Sequence, residues 1–151
     1  MTELSILQPV VALAAWTMVM WVWMYGTRLP AMVAARIDPN AFVRDPDLAL
    51  DRTLPANVQW KAHNYNHLHE APTVFYAIAL TLYLLGEGDE RTAILGWAYV
   101  ALRVLHSLVQ ATVNKVIVRF AVFALSSAVL MALVALAARA GRCSRRPRRS
   151  G

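Results

Sequence analysis

The sequence has a single cysteine, few glycines and few charged side chains. Cys143 lies in a basic C-terminal tail, so the chain has neither a disulfide framework nor a thiolate metal cluster. The six glycines form no nucleotide-binding loop, and the sequence contains no internal repeat. Charged residues make up only 16% of the chain, which is unusually low for a soluble domain and argues against that class.

The net charge of +6 is concentrated at the C-terminal end. Six of the fifteen basic residues lie there: Arg139, Arg142, Arg145, Arg146, Arg148 and Arg149. A basic cluster directly after an apolar helix is typical of contact with anionic lipid headgroups, and we therefore expect no nucleic-acid partner. We expect residues 142–151 to form a disordered tail.

Long apolar runs dominate the remainder, since 58% of the residues are apolar. A membrane-spanning helix needs about 20 mostly apolar residues. Four segments meet this requirement, and they predict spans over residues 5–25, 57–86, 92–113 and 118–138. The first segment lacks a basic region before it and is expected to persist as a span. The fold class predicted for residues 1–141 is a single all-α membrane domain, a four-transmembrane-helix bundle, with a long polar loop over residues 26–56.

The second and third predicted spans each carry a stripe of polar side chains at helical spacing. The members are His63, Asn66, His67 and Glu70 on the second span, and Arg103, His106, Gln110 and Asn114 on the third. Ionisable groups within a span are costly, so they normally pair, line a wet cavity or carry chemistry. We therefore expect both stripes to face the interior of the bundle.

The polar turn near Gly88 sets the relative depth of the two stripes, because both helices rise about 1.5 Å per residue away from it. Counting outward places Glu70 level with His106, and His67 level with Gln110. Arg119, at the start of the fourth span, returns to the same side of the membrane. The sequence therefore predicts one polar site near one membrane face.

Two interpretations follow from the residue types alone. The polar side chains could be structural, with Glu70 neutralised by Arg103 and the histidines hydrogen-bonded between helices. Alternatively, His63, His67 and Glu70 could bind a metal ion, since they are ligand types at converging spacing. The chain has no further cluster of carboxylates or histidines except His106, and no metal site is therefore our expectation.

Two segments resemble a known family. Residues 61–75, KAHNYNHLHEAPTVF, resemble the second-helix signature of the MAPEG family, the membrane-associated proteins of eicosanoid and glutathione metabolism, and Glu70 and Phe75 fit its frame. Residues 101–107, ALRVLHS, are similar to the third-helix segment of that family. The chain departs from the pattern where His67 replaces the usual Asn three residues before Glu70. His106 and Gln110 also stand where the leukotriene synthase branch has tyrosines.

The resemblance implies a divergent, bacterial-type member of the family in the bacterial inner membrane. It implies a homotrimer that binds glutathione between subunits, while a hydrophobic electrophile approaches from the membrane lipids. The function so implied is that of a glutathione-dependent transferase or peroxidase, and eicosanoid synthesis is not expected. The alternatives are a catalytically silent scaffold or a metal- or small-ligand-binding protein of the same fold.

The resemblance also implies roles for individual residues. Glu70 would bind the ammonium group of glutathione, Arg103, Gln110 and Asn114 its carboxylates, and Arg119 would be the catalytic residue that stabilises the thiolate. The remaining cofactor-binding candidates are His63, Asn66, His67 and His106.

Overall fold

The computed structural model describes residues 5–38, 40 and 53–143, with only the backbone of Cys143. Within these ranges the chain forms five α-helices and no strand. They are α1 (Leu7–Ala34), α2 (Ala56–His67), α3 (Ala71–Leu84), α4 (Glu90–Thr112) and α5 (Val116–Cys143). Three segments are long and apolar enough to cross a membrane: Leu7–Ala34, Glu90–Thr112 and Val116–Arg142. The all-helical membrane architecture is confirmed, and a fourth span formed by α2 and α3 stays a prediction.

Helix α1 is longer than the sequence indicated. The predicted span ended at residue 25, whereas the helix continues to Ala34 with Pro30 inside it. A proline removes one helical N–H donor, but residues 29–34 are otherwise apolar and rich in helix formers. The hydroxyl of Thr27 additionally bonds the carbonyls of Trp23 and Met24. The predicted loop over residues 26–56 therefore begins later than expected, after Ala34, while α2 begins at Ala56, within one residue of the predicted second span. Residues 39 and 41–52 of this loop lie outside the described residues.

The single helix predicted over residues 57–86 is divided in two. Helix α2 ends at His67, residues 68–70 form a turn, and α3 begins at Ala71. The cause is Pro72, which has no N–H to donate to the carbonyl of Leu68 and whose ring crowds that carbonyl. A proline is well accommodated in the first turn of a new helix, and that is its place in α3.

Two polar residues define the ends of α4. The side chain of Asp89 accepts the N–H of Thr92 at 3.0 Å and caps the first turn. At the other end Asn114 has a φ of 51°, a left-handed conformation that asparagine tolerates better than most residues. Helix α5 then runs to Cys143, five residues beyond the predicted span, so the first two residues of the predicted tail are helical. Residues 144–151 lie outside the described residues.

The helices pack around a core that joins α1, α3, α4 and α5. The aromatic rings of Phe75 and Tyr99 stack with centroids 4.6 Å apart, and both side chains are fully buried. Helix α4 approaches α1 most closely at Gly96, where a Cβ atom would lie 2.7 Å from Cγ of Pro9. This packing fixes α4 as the central helix, and its buried residues include the polar stripe predicted from the sequence.

Candidate functional site

A histidine and a carboxylate are joined across the turn between α2 and α3. Nδ1 of His67 lies 2.7 Å from Oε2 of Glu70, three residues later in the chain. With the carboxylate ionised, Nδ1 carries the proton and donates it, which leaves Nε2 of the imidazole as a free acceptor. The break in the helix thus produces a histidine–carboxylate pair at the end of α2.

Helix α4 contributes three buried polar side chains at helical spacing: Arg103, His106 and Gln110. Nε of Arg103 donates to the Tyr99 hydroxyl at 3.0 Å, and the guanidinium lies 5.4 Å from the ring centre of Phe123 on α5. Nε2 of His106 lies 3.1 Å from Oε1 of Gln110. Within the described ranges, Arg103 has no carboxylate partner. A buried cation without a counter-ion is costly and is normally neutralised by a ligand or a neighbouring chain.

Arg119 is held by the residue that ends α4. Its Nη1 donates to Oδ1 of Asn114 at 2.5 Å, while its Nε is buried and has no hydrogen-bond partner among the described residues. Because Asn114 lies in the left-handed turn between α4 and α5, its side chain reaches a residue one turn into the next helix. Asn114 thus positions Arg119 within this chain.

These side chains converge on a cleft of about 310 Å³ between α2, α4 and the first turns of α5. The lining residues are His67, His106, Val116, Arg119, Phe120 and Phe123. The imidazoles of His67 and His106 are 5.5 Å apart, and the Phe123 ring stacks on His67 at 5.9 Å. The cleft therefore combines one guanidinium and two imidazoles with an apolar, partly aromatic wall. We call it the Arg119 cleft.

A packed polar region with no room for a water molecule lies behind the two histidines. It is lined by Asn64, His67, Leu68, Arg103, His106 and Ser107. Five buried polar atoms of these residues lack a hydrogen-bond partner within the described part of the chain: both amide atoms of Asn64, Nη2 of Arg103, Nδ1 of His106 and Oγ of Ser107. Buried polar atoms are normally satisfied, so this concentration of unsatisfied atoms between α2 and α4 departs from ordinary packing.

The structure brings most of the predicted site residues together but not all of them. His63 and Asn66 are exposed and line neither the cleft nor the polar region behind it. Three others, Glu70, Gln110 and Asn114, also line neither, but each forms a hydrogen bond to a residue that lines the cleft. The ring of His67 lies 5.5 Å from that of His106, and the predicted depth of His67 relative to Gln110 stays a prediction. The turn at residues 68–70 interrupts the uniform rise assumed for one continuous helix.

Sequence reasoning missed two buried polar residues, Asn64 and Ser107. The first lies three residues before His67, and the second four residues after Arg103, so helical spacing could have identified both. It also missed Phe120 and Phe123, for which the sequence carried no signal beyond an apolar span.

A metal centre gains no support from this arrangement. Across residues 5–38, 40 and 53–143, no group of three or more histidine, cysteine, aspartate or glutamate side chains is close enough to hold an ion. His63 and Glu70, two of the three ligands considered from the sequence, are both exposed.

Comparison with known proteins connects this geometry to a family. The family model of the MAPEG family matches residues 6–139, which include α1 to α4 in full and all of α5 except its last four residues. Searches of curated proteins and of solved structures gave no significant match. With three long apolar helices and a family match over most of its length, this integral membrane protein belongs to the MAPEG family.

Proposed function

We propose that the protein is a membrane-bound, glutathione-dependent transferase or peroxidase that acts on hydrophobic electrophiles in the Arg119 cleft. The observation that carries the proposal is the composition of that cleft, which unites an arginine and two imidazoles with an apolar wall. A charged thiol peptide and an apolar partner need these two kinds of surface side by side. Membership of the family supports the same chemistry.

Glutathione has two carboxylates, one ammonium group and one thiol, so its binding site must supply both cations and an anion. Arg103 has a buried nitrogen without a partner and is suited to a carboxylate. The exposed carboxylate of Glu70 is suited to the ammonium group. Asn64 and Gln110 add amide groups that can bond the peptide. In this set Asn64 takes the place of Asn66, His63 is left out, and Asn114 positions Arg119 instead of binding a carboxylate.

Arg119 is the candidate catalytic residue. Its guanidinium lines the cleft and would stabilise a thiolate by a charge-assisted hydrogen bond. The imidazole of His67, held by Glu70, has a free nitrogen on the same cleft and would accept the thiol proton. The thiolate sulfur then forms a bond with the electrophilic carbon. In a substitution, a leaving group departs with its electron pair. In an addition reaction with a conjugated carbonyl compound, no group leaves and His67 returns the proton to the product.

We further propose that the site is completed by neighbouring subunits of a homotrimer. The first turns of α5 expose large apolar side chains beside the cleft, with Ile117 84% and Phe120 70% exposed. These surfaces are available to lipid and to a second copy of the chain. A neighbouring chain at this position would also enclose the open side of the cleft.

Calorimetric titration of the detergent-purified protein with glutathione tests the proposal, together with the ultraviolet absorbance of the bound thiolate. We expect binding that weakens about tenfold in Arg119→Gln, the effect of losing one charge-assisted hydrogen bond. In His67→Asn we expect glutathione to bind while less of it is thiolate. The matched control is Lys115→Gln, which removes an exposed cation outside the cleft and should leave both readings unchanged.

The outcomes separate the alternatives. No binding of glutathione would reject the transferase and leave the silent scaffold as the explanation of the fold. Binding with an unchanged thiolate fraction in His67→Asn would reject only the role of the histidine as proton acceptor. An equal loss in Arg119→Gln and Lys115→Gln would show a general effect of charge and reject the assignment of the cleft.

A further inference from the structure

A second cleft, of about 300 Å³, lies at the opposite ends of the helices from the Arg119 cleft. It forms where the end of α5 returns beside the connection between α3 and α4. We call it the hairpin cleft, and its lining residues are Leu82, Glu87, Asp89, Arg91, Thr92, Leu136, Arg139 and Ala140. None of these residues takes part in the proposed glutathione chemistry.

Helix lengths place the hairpin cleft at the membrane surface. Helix α4 has 23 residues, which at about 1.5 Å per residue extend over roughly 34 Å. The hydrocarbon layer of a bilayer is about 30 Å thick, so the first turn of α4 lies among the lipid headgroups. Leu136 lies about one turn before Arg139 on α5, and Leu82 lies within α3, before Glu87 of the connection. The cleft is therefore polar towards water and apolar towards the acyl chains.

Four charged side chains line the cleft, and their charges cancel. Arg91 and Arg139 are cationic, while Glu87 and Asp89 are anionic. Within residues 53–143 neither arginine forms an ion pair or a side-chain hydrogen bond. The bonds from Thr92 to Asp89 use Oδ1, and the carboxylate also accepts the backbone N–H of Arg91. The pKa of Asp89 lies below its usual value, chiefly because its carboxylate accepts the backbone N–H of Thr92, so this group is ionised at neutral pH.

We propose that the hairpin cleft binds the headgroup of a phosphatidylethanolamine molecule. Arg91 and Arg139 bind the phosphate, and Glu87 and Asp89 bind the primary ammonium group. The acyl chains follow the apolar surface of Leu82. The headgroup of phosphatidylethanolamine carries a negative and a positive charge a few bonds apart. The neighbouring arginines and carboxylates of the hairpin cleft match these two charges.

The chemistry of the lining residues distinguishes this lipid from other common phospholipids. Phosphatidylglycerol has the phosphate but no ammonium group. The carboxylates of Glu87 and Asp89 would then lie near an anionic lipid that offers them no cation. Phosphatidylcholine has a quaternary ammonium group that donates no hydrogen bond and is typically recognised by aromatic faces. None of the eight lining residues is aromatic. The primary ammonium of phosphatidylethanolamine can donate to both carboxylates.

Native mass spectrometry of the detergent-purified full chain tests the proposal with an equimolar mixture of the three phospholipids, all with the same acyl chains. We expect the wild-type protein to retain phosphatidylethanolamine preferentially. Arg139→Gln should weaken this binding about tenfold, the effect of one lost charge-assisted hydrogen bond. Glu87→Gln should abolish the preference over phosphatidylglycerol, because it removes a carboxylate that repels the anionic lipid. The increase in the thermal midpoint should likewise be largest when phosphatidylethanolamine is added.

The matched control is Arg142→Gln, which removes an arginine of the same helix that does not line the cleft. We expect it to leave the lipid preference unchanged. Equal retention of the three lipids by the wild-type protein would overturn the proposal, as would equal effects of Arg139→Gln and Arg142→Gln. A further experiment adds glycerophosphoethanolamine, which is the soluble headgroup without the acyl chains. If this headgroup alone stabilised the protein as much as the lipid does, the assignment to a membrane lipid would be rejected.

Discussion

Replacing Asn114 with glycine should reduce glutathione turnover without disturbing the fold. Asn114 has a φ of 51°, so alanine would introduce backbone strain, whereas glycine adopts this conformation freely. The substitution removes the acceptor that lies 2.5 Å from Nη1 of Arg119 and leaves the turn between α4 and α5 intact. The change therefore isolates the bond that positions the guanidinium.

The magnitude follows from the type of bond. A hydrogen bond to a charged group contributes about 1.5–3 kcal/mol. Part of this free energy is recovered because a freed Arg119 side chain can still reach the cleft. We therefore expect a loss of activity that corresponds to the lower limit of this range. About 1.4 kcal/mol corresponds to a tenfold change, and kcat/KM should fall roughly tenfold. The thermal midpoint should change little, since Asn114 is only half-buried and the backbone bonds are retained.

The assay is conjugation of glutathione to a hydrophobic electrophile in detergent micelles, measured for Asn114→Gly, Asn114→Asp and Arg119→Gln. Aspartate also tolerates the left-handed conformation and keeps an acceptor for Arg119, so Asn114→Asp should retain near wild-type activity. The double variant Asn114→Gly with Arg119→Gln should be no worse than Arg119→Gln alone. Full activity in Asn114→Gly, or equal losses in the glycine and aspartate variants, would refute the positioning role.

Two further predictions concern the fold. Gly96→Ala should lower the thermal midpoint, with a cost of about 1–3 kcal/mol typical of overpacking, because its Cβ would lie 2.7 Å from the ring of Pro9. The control Gly26→Ala, which meets no atom within 4 Å, should be neutral or slightly stabilising. Equal losses in both variants would contradict the close approach of α1 and α4. The pKa of Asp89 is lowered mainly by the N–H of Thr92, so its capping contribution is complete above the normal aspartate pKa and is lost as the pH falls through the lowered value. Thermal midpoints measured across acidic pH should show a smaller decrease in Asp89→Asn, and identical pH profiles would show that Asp89 contributes nothing.

Periodicity predicted the polar stripe of α4 well because this helix is uninterrupted. Arg103, His106 and Gln110 are all buried, and their spacing alone indicated a shared inward face. The same reasoning was less successful on the preceding span. Pro72 divides that span into α2 and α3, whereas the counting of depths assumed one continuous helix. A single proline therefore removes the basis of that counting.

The choice between neighbouring asparagines could not be made from the sequence. Asn64 and Asn66 both lie near the family frame, but residues two apart on a helix point in different directions. Only the packing of α2 against α4 shows that Asn64 is buried and Asn66 exposed. Likewise, an apolar span gives no indication that Phe120 and Phe123 face a cleft, because lipid-facing and cleft-facing phenylalanines have the same composition around them.

The turn at residues 68–70 has a consequence for how water reaches the protein. Pro72 cannot donate to the carbonyl of Leu68, and hydrocarbon offers no hydrogen bond to replace the missing one. Irregular backbone of this kind is stable in a bilayer only against protein or a water-filled space. We therefore expect the side of the bundle that carries His67 and Glu70 to face water, and in the proposed function a water-soluble peptide would enter there.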